Sequence, residues 1–343
     1  MNDLKTNTLS ESPLRGVGGL DIEIKGKPYT IPNSWEALTP EQFVHLAGLL
    51  RMYAAGVLSM SDVRLRFVIF VLSVDMRYIP RKHEDTIAQN LYLLQSKITF
   101  IFSIRYPKDV WASLSPELRR IARKTEPGDL PDSPEGRVLR RAEYIYELDA
   151  CFAAQLLPDL TIGESSYPGY TVNTSCALLS VSLTARQYVD ASECLSGIAK
   201  NPELLPLLAA ILYCPCTYSP DRAHGNAALF ASADPATLEA VALNFQALVL
   251  MLFTKTHFSI LWQRGKDTGK NKLSVGLKEG IYALSEDGYG DIDKVGDMSL
   301  TEYLEILRKK KIDAVRTLHS ADMKLSEIAE KTGLDINTIN SII

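Results

Sequence analysis

The sequence predicts a mainly α protein: a multi-helix core, a small N-terminal β-hairpin and a C-terminal helix-turn-helix-like tail. Three observations predict it. Residues 237–262 form the longest and most completely apolar run in the chain, with Leu238, Val241, Phe245, Leu248, Val249 and Leu252 recurring at the spacing of one helix face. Ala247, Leu250 and Met251 fill the other side, and through Phe253 only Glu239, Asn244 and Gln246 interrupt it, so this reads as one buried helix enclosed by its neighbours. Most other apolar residues also recur every three or four positions behind capping residues, whereas residues 20–31 alternate apolar and polar about Lys25-Gly26-Lys27, the pattern of a short hairpin.

With 343 residues, 46% hydrophobic and 23% charged, the chain is long enough for two or three modest domains with a packed core. A formal charge of −4 argues against a surface built throughout to hold nucleic acid. Five cysteines, an odd number lying mostly in apolar contexts, fit a reducing cytoplasm. The polar, Gly/Ser-rich start, residues 1–19, lacks the apolar core of a signal peptide and reads as a flexible tail. The apolar runs at 67–74 and 204–214 are shorter than a bilayer requires and read as core helices, so no membrane partner is expected.

Residues 20–125 follow as a hairpin plus helical N-terminal domain. Thr39-Pro40-Glu41-Gln42 is a capping box with proline in the first turn, and Phe43, Leu46, Leu49 and Leu50 carry that helix to about Ala55. Further helices are expected over 61–75 and 84–103. Residues 126–136, rich in proline, glycine and acids, read as a linker.

A helical core domain is expected over 137–272, with helices at 137–157, 176–183, 185–198 and 202–214 ahead of the central one. Residues 158–173 read as an exposed loop and 215–226 as a polar break. A short helical module, 273–311, and a helix-turn-helix-like segment, 312–343, complete the chain.

No arrangement of residues carries recognisable catalytic or metal chemistry. In 264–272, Gly265 and Gly269 are separated by three residues where a phosphate-binding loop has four, and Asn271 replaces the Ser or Thr that would hold magnesium. Cys214-Pro-Cys216, with Cys194 and His224, has one intervening residue where structural zinc sites have two to four. The five histidines are dispersed, and the acids Glu286, Asp287, Asp291 and Asp293 lack the ligand spacing of a calcium loop. A non-enzymatic protein without metal or cofactor is expected.

Two resemblances bear on function. In 276–307 a helix carrying Ile281 and Leu284 ends at Gly288-Tyr289-Gly290, a short helix carries Val295, and Met298-Ser299-Leu300 leads into a helix with Tyr303, Leu304 and Leu307. This order resembles bacteriophage tail assembly chaperones and related virion morphogenesis proteins, as do 31–43 and the run from Leu207–Tyr213 through Tyr218-Ser219-Pro220-Asp221. The resemblance implies a phage or prophage protein of the host cytoplasm, or associated with the virion, binding phage tail or other virion proteins. Aromatic residues dominate binding hot spots, so Tyr167, Tyr170, Trp262 and Tyr289 are the expected contacts.

Residues 315–343 resemble the helix-turn-helix of resolvase- and transposase-type DNA-binding proteins. Ser326 reads as a cap, Ile328 as core, Ala329 as the small residue at the helix crossing, and Gly333 as the left-handed turn. The alternative this implies is a DNA-binding regulator or mobile-element protein reading the major groove with Asn337, Thr338 and Asn340. Against it, Glu327, Glu330 and Asp335 outnumber Lys331 from Ser326 onward, which disfavours phosphate.

Overall fold

A computed structural model describes residues 19–24, 27–74, 81–123, 125, 130–173, 179–214, 217–262 and 277–343. Fifteen α-helices and four separate two-stranded sheets are found among them, a mainly α fold with an N-terminal hairpin. Contacts divide the chain into Met1–Ala150 and Cys151–Ile343, so the expected linker at 126–136 lies within the first unit. The expected tail, apart from Gly19, and the Lys25-Gly26 turn lie outside the described residues, as does the basic run at 264–272.

In the first unit, β1 (Gly19–Ile24) pairs antiparallel with β2 (Lys27–Pro32), Leu20 opposite Ile31 and Ile22 opposite Tyr29. Alternation buries Leu20, Ile22 and Ile31, while Thr30 donates to its cross-strand partner Asp21 on the wet face at 2.7 Å. Helix α1 (Pro40–Ala54) begins at the Thr39/Gln42 capping box, and α2 (Met60–Val71) at a second box, Ser59/Asp62. Helix α3 spans Arg81–Ser96. Trp35 meets both Phe43 and Phe100 edge-on, and its indole N–H donates to the Asp149 carbonyl at 2.7 Å.

Two expected helices are corrected here. Instead of continuing to Ser103, the chain leaves α3 and enters β3 (Phe102–Arg105); instead of a helix to Leu157, α6 (Pro134–Arg141) gives way to β4 (Ile145–Leu148). These strands pair antiparallel, and Arg105 bridges Glu147 at 2.8 Å. Helices α4 (Lys108–Ser113) and α5 (Pro116–Ala122) join α6 around a small core of Tyr106, Leu114, Ala122, Leu130 and Leu139.

The second unit begins with β5 (Asp159–Ile162) and β6 (Ser165–Pro168), a hairpin where a loop was expected, turning at left-handed Gly163. Strand β7 (Val172–Asn173), at the end of the expected loop, pairs with β8 (Ser180–Val181), which replaces part of the helix expected over 176–183, of which 176–178 lie outside the described residues. Helices α7 (Ala185–Ile198) and α8 (Leu205–Leu212) follow, and α9 (Pro220–Phe230) occupies much of the expected polar break.

Helix α10 (Pro235–Lys255) is the centre of this unit, with Val241, Phe245, Ala247, Leu248 and Val249 at 1% exposure or less. Its length and mean hydropathy of 1.7 are those of a membrane span, yet 61% of that window is buried within the protein. The expected helix to Trp262 stops early. Thr256 is extended, its hydroxyl accepts the Phe258 amide, and His257–Leu261 continues as a 3₁₀ helix.

Helices α11 (Leu277–Glu286), α12 (Ile292–Asp297), α13 (Leu300–Ser320), α14 (Leu325–Thr332) and α15 (Ile336–Ile342) complete the fold.

Candidate functional site

The hairpin from α11 to α12 ends its first helix with a specific hydrogen-bond pattern. Gly288 is left-handed at φ +86°, its N–H donates to Ser285, and the Tyr289 N–H donates back to Leu284, both at 3.1 Å. This is a Schellman termination: glycine takes the αL position without a Cβ penalty, and the next residue leaves the helix axis. That next residue is Tyr289, 47% exposed. Gly290 at φ +142° then lets the chain reach Asp291, whose carboxylate accepts the Lys294 amide at 2.8 Å and starts α12.

The hairpin is fastened beneath this turn. Ile281, Leu284, Val295, Leu300, Tyr303 and Leu304 are buried, as their spacing predicts. The Tyr303 hydroxyl donates to the Leu277 carbonyl, and a Cβ at Gly280 would stand 2.3 Å from that hydroxyl, so glycine permits the close crossing. Arg186 of α7 donates to the Asp293 carboxylate at 2.8 Å and to the Ile292 carbonyl at 3.2 Å, passing over Gly296, where a Cβ would meet it at 2.7 Å. Lys278 bonds Glu193 of α7, which raises the ammonium pKa by hydrogen bonding and charge, and Lys310 pairs with Asp287. The fastened hairpin leaves Tyr282, Tyr289 and Ile292 exposed at 49%, 47% and 43%. Tyr282 and Ile292 lie off the buried stripe of Ile281, Leu284 and Val295, and that position is the sequence signal for their exposure.

The other expected contacts are placed differently. Tyr167 is half-buried on β6 with its ring 5.2 Å from Phe230, and Trp262 is half-buried 6.0 Å from Phe253. Tyr170 is 5% exposed, with its ring edge-on to Phe245, so it belongs to the interior rather than to an exposed loop.

The C-terminal segment folds as two short helices, α14 and α15, joined through a turn at Gly333. Val315, Ile328, Leu334 and Ile339 bury together with Ile260, and Ala329 packs against them. Gly333 is left-handed at φ +68°, and its N–H donates to Ala329 at 2.9 Å, ending α14 as expected. Ser326 does not cap α14, which starts after Lys324. Thr338 is engaged within the fold: the Asp335 carboxylate accepts its amide at 3.0 Å and its hydroxyl at 2.8 Å. Asn337 and Asn340 are exposed on α15, as are Ile336 and, just past its end, Ile343, each 48%.

Residues 312–343 carry five carboxylates against three Lys and Arg side chains. In the basic run before them Arg308 pairs with Glu305 at 3.5 Å, Lys310 with Asp287, and burial lowers the Lys311 pKa. Among the described residues no group of three or more His, Cys, Asp and Glu side chains is placed to hold a metal, and burial raises the Cys194 pKa to about 11. Comparison with protein-family models, curated proteins and solved structures finds no match for this chain.

Proposed function

We propose that this chain is a phage or prophage morphogenesis protein of the tail assembly chaperone type, made in the bacterial cytoplasm and acting by protein–protein binding. No chemistry or cofactor is part of the reading. The observation that carries it is the fastened hairpin in the segment resembling those chaperones, with Tyr289 exposed between two left-handed glycines. An exposed aromatic held on a rigid support buries a large area at little entropic cost when a partner covers it. Tyr282 and Ile292, on the flanking helices, add apolar surface for the same purpose.

The test is co-expression with tail-tube and tape-measure proteins from the phage or prophage that encodes this chain, scoring their soluble fraction. A rise that depends on Tyr282 and Tyr289 supports the proposal; no change in any of those proteins contradicts it.

A second reading, a DNA-binding regulator or mobile-element protein, is favoured by the packed helix-turn-helix-like segment and the exposed Asn337 and Asn340. The carboxylate excess and the exposed Ile336 and Ile343 favour a protein contact there instead. Duplex DNA binding at about 50 mM and 200 mM salt separates them, because phosphate contacts weaken steeply over that range.

A further inference from the structure

Helices α4 and α5, in the first unit, meet at a corner where positive charge collects. Residues 108–123 hold four Lys and Arg side chains against two carboxylates, in a chain whose formal charge is −4. Trp111 is half-buried at the centre of this corner. The guanidinium carbon of Arg123 stands 5.4 Å from its ring centroid and that of Arg119 6.0 Å, so two cations one helical turn apart converge on one indole. Lys108 lies three residues before Trp111 on α4, the spacing of neighbours on a helix surface.

Much of this charge is left uncompensated. Arg119 is fixed by donating to the Trp111 carbonyl at 2.9 Å and the Ala112 carbonyl at 2.8 Å, neutral partners that use two of a guanidinium's five N–H donors. No ion pair between a carboxylate and Lys108, Arg119 or Arg123 is found among the described residues, and Glu117 reaches Arg120 only at 3.9 Å. Lys108, Arg120 and Arg123 are exposed. Like charges held close repel one another, and an anion placed among them removes that cost while accepting charge-assisted hydrogen bonds.

We propose that this corner binds single-stranded nucleic acid, with phosphates against Arg119, Arg120 and Arg123 and a base against the aromatic and guanidinium surface around Trp111. Charge complementarity calls for a polyanion. Arginine rather than lysine at three of the four cationic positions suits bidentate phosphate contact and stacking on a base. The ring in the middle favours bases, which stack on aromatic side chains whatever their sequence, over a carboxylate-rich peptide. A single strand is favoured over a duplex because α4 and α5, at six and seven residues, provide no long helix to lie in a major groove. The site is separate from the α11–α12 hairpin and from the C-terminal segment, and it does not rest on the function proposed for either.

The test is fluorescence anisotropy of the full chain with labelled oligo-dT and oligo-U of about 20 nucleotides at about 50 mM and 200 mM salt. The expected result is binding that weakens as salt rises. At the lower salt it should fall about tenfold in an Arg120→Ala, Arg123→Ala double variant whose melting temperature is unchanged, because both side chains are exposed. A Lys324→Ala, Lys331→Ala double variant removes the same number of exposed cations from the C-terminal segment and should change binding by less than about twofold. Ultraviolet crosslinking of bound oligo-U should mark the peptide that contains Trp111. Absence of binding at the lower salt overturns the proposal, as does an equal loss in both variants or a crosslink confined to other peptides. Poly-glutamate that displaces the oligonucleotides with equal strength also overturns it, and would make the corner a contact for acidic protein segments.

Discussion

The side-chain oxygen of Asn244, in the middle of α10, accepts the backbone N–H of Leu156 at 2.8 Å, and its amide nitrogen donates to the Ala154 carbonyl at 2.9 Å. One buried carboxamide thus satisfies two groups of a segment that belongs to no helix or strand there. Asn244 is 1% exposed, so water cannot replace it. Asn244→Leu should destabilise the protein by about 2–4 kcal/mol, the cost of two orphaned backbone groups, measured by urea unfolding. A loss below about 0.5 kcal/mol would show that the clamp contributes little.

The two turns of the C-terminal module make opposite predictions. Gly333→Ala places a Cβ in open space but on a left-handed backbone, and should cost about 1 kcal/mol. Asp322 ends α13 at φ +55°, with its N–H on His319 and the Met323 N–H on Leu318, so a non-glycine residue occupies the Schellman position. Asp322→Gly should therefore stabilise by up to about 1 kcal/mol, read as a higher urea midpoint.

At the α11–α12 hairpin, which we propose as the partner contact, stability and binding should separate. Gly288→Ala strains the turn and should cost about 1 kcal/mol. Tyr289→Ser removes an exposed ring and should change stability by less than about 0.5 kcal/mol while weakening partner capture. Equal loss of stability in both variants would make Tyr289 part of the fold.

His45 supplies a pH prediction. Its ring stacks on Phe70 at 3.9 Å and lines a cleft between α1 and α2, and Nε2 is buried without a partner. Desolvation lowers its folded pKa below the ordinary 6.5. The unfolded chain therefore takes up the proton first, so the neutral ring's contribution is present above pH 6.5 and lost as pH falls below it. Thermal unfolding from pH 7.5 to 5 should show a decline that is smaller in His45→Phe.

Local signals made much of this fold legible. The capping box at Thr39, the alternation of Leu20, Ile22 and Ile31, the apolar stripe of α10 and the Gly333 turn all act within a few residues of themselves. The pairing of β3 with β4 was hidden because it joins Phe102 to Leu148 across intervening helices, while Val138, Leu139, Ala142, Ile145 and Leu148 also satisfy a helical period. Asn244 looked like an interruption of α10 because its partners lie 88 and 90 residues away. The exposure of Tyr289 follows locally from the left-handed Gly288 that ends α11 just before it. The burial of Tyr170 depends on Phe245, which no local pattern reveals.

The most direct measurement is co-purification of tail-tube or tape-measure protein with the tagged chain, alongside a Tyr282→Ser, Tyr289→Ser double variant of verified melting temperature. Capture by the natural sequence, reduced at least tenfold in the variant, is the predicted result. Equal capture by both, or no capture together with salt-sensitive binding to duplex DNA, would contradict the account.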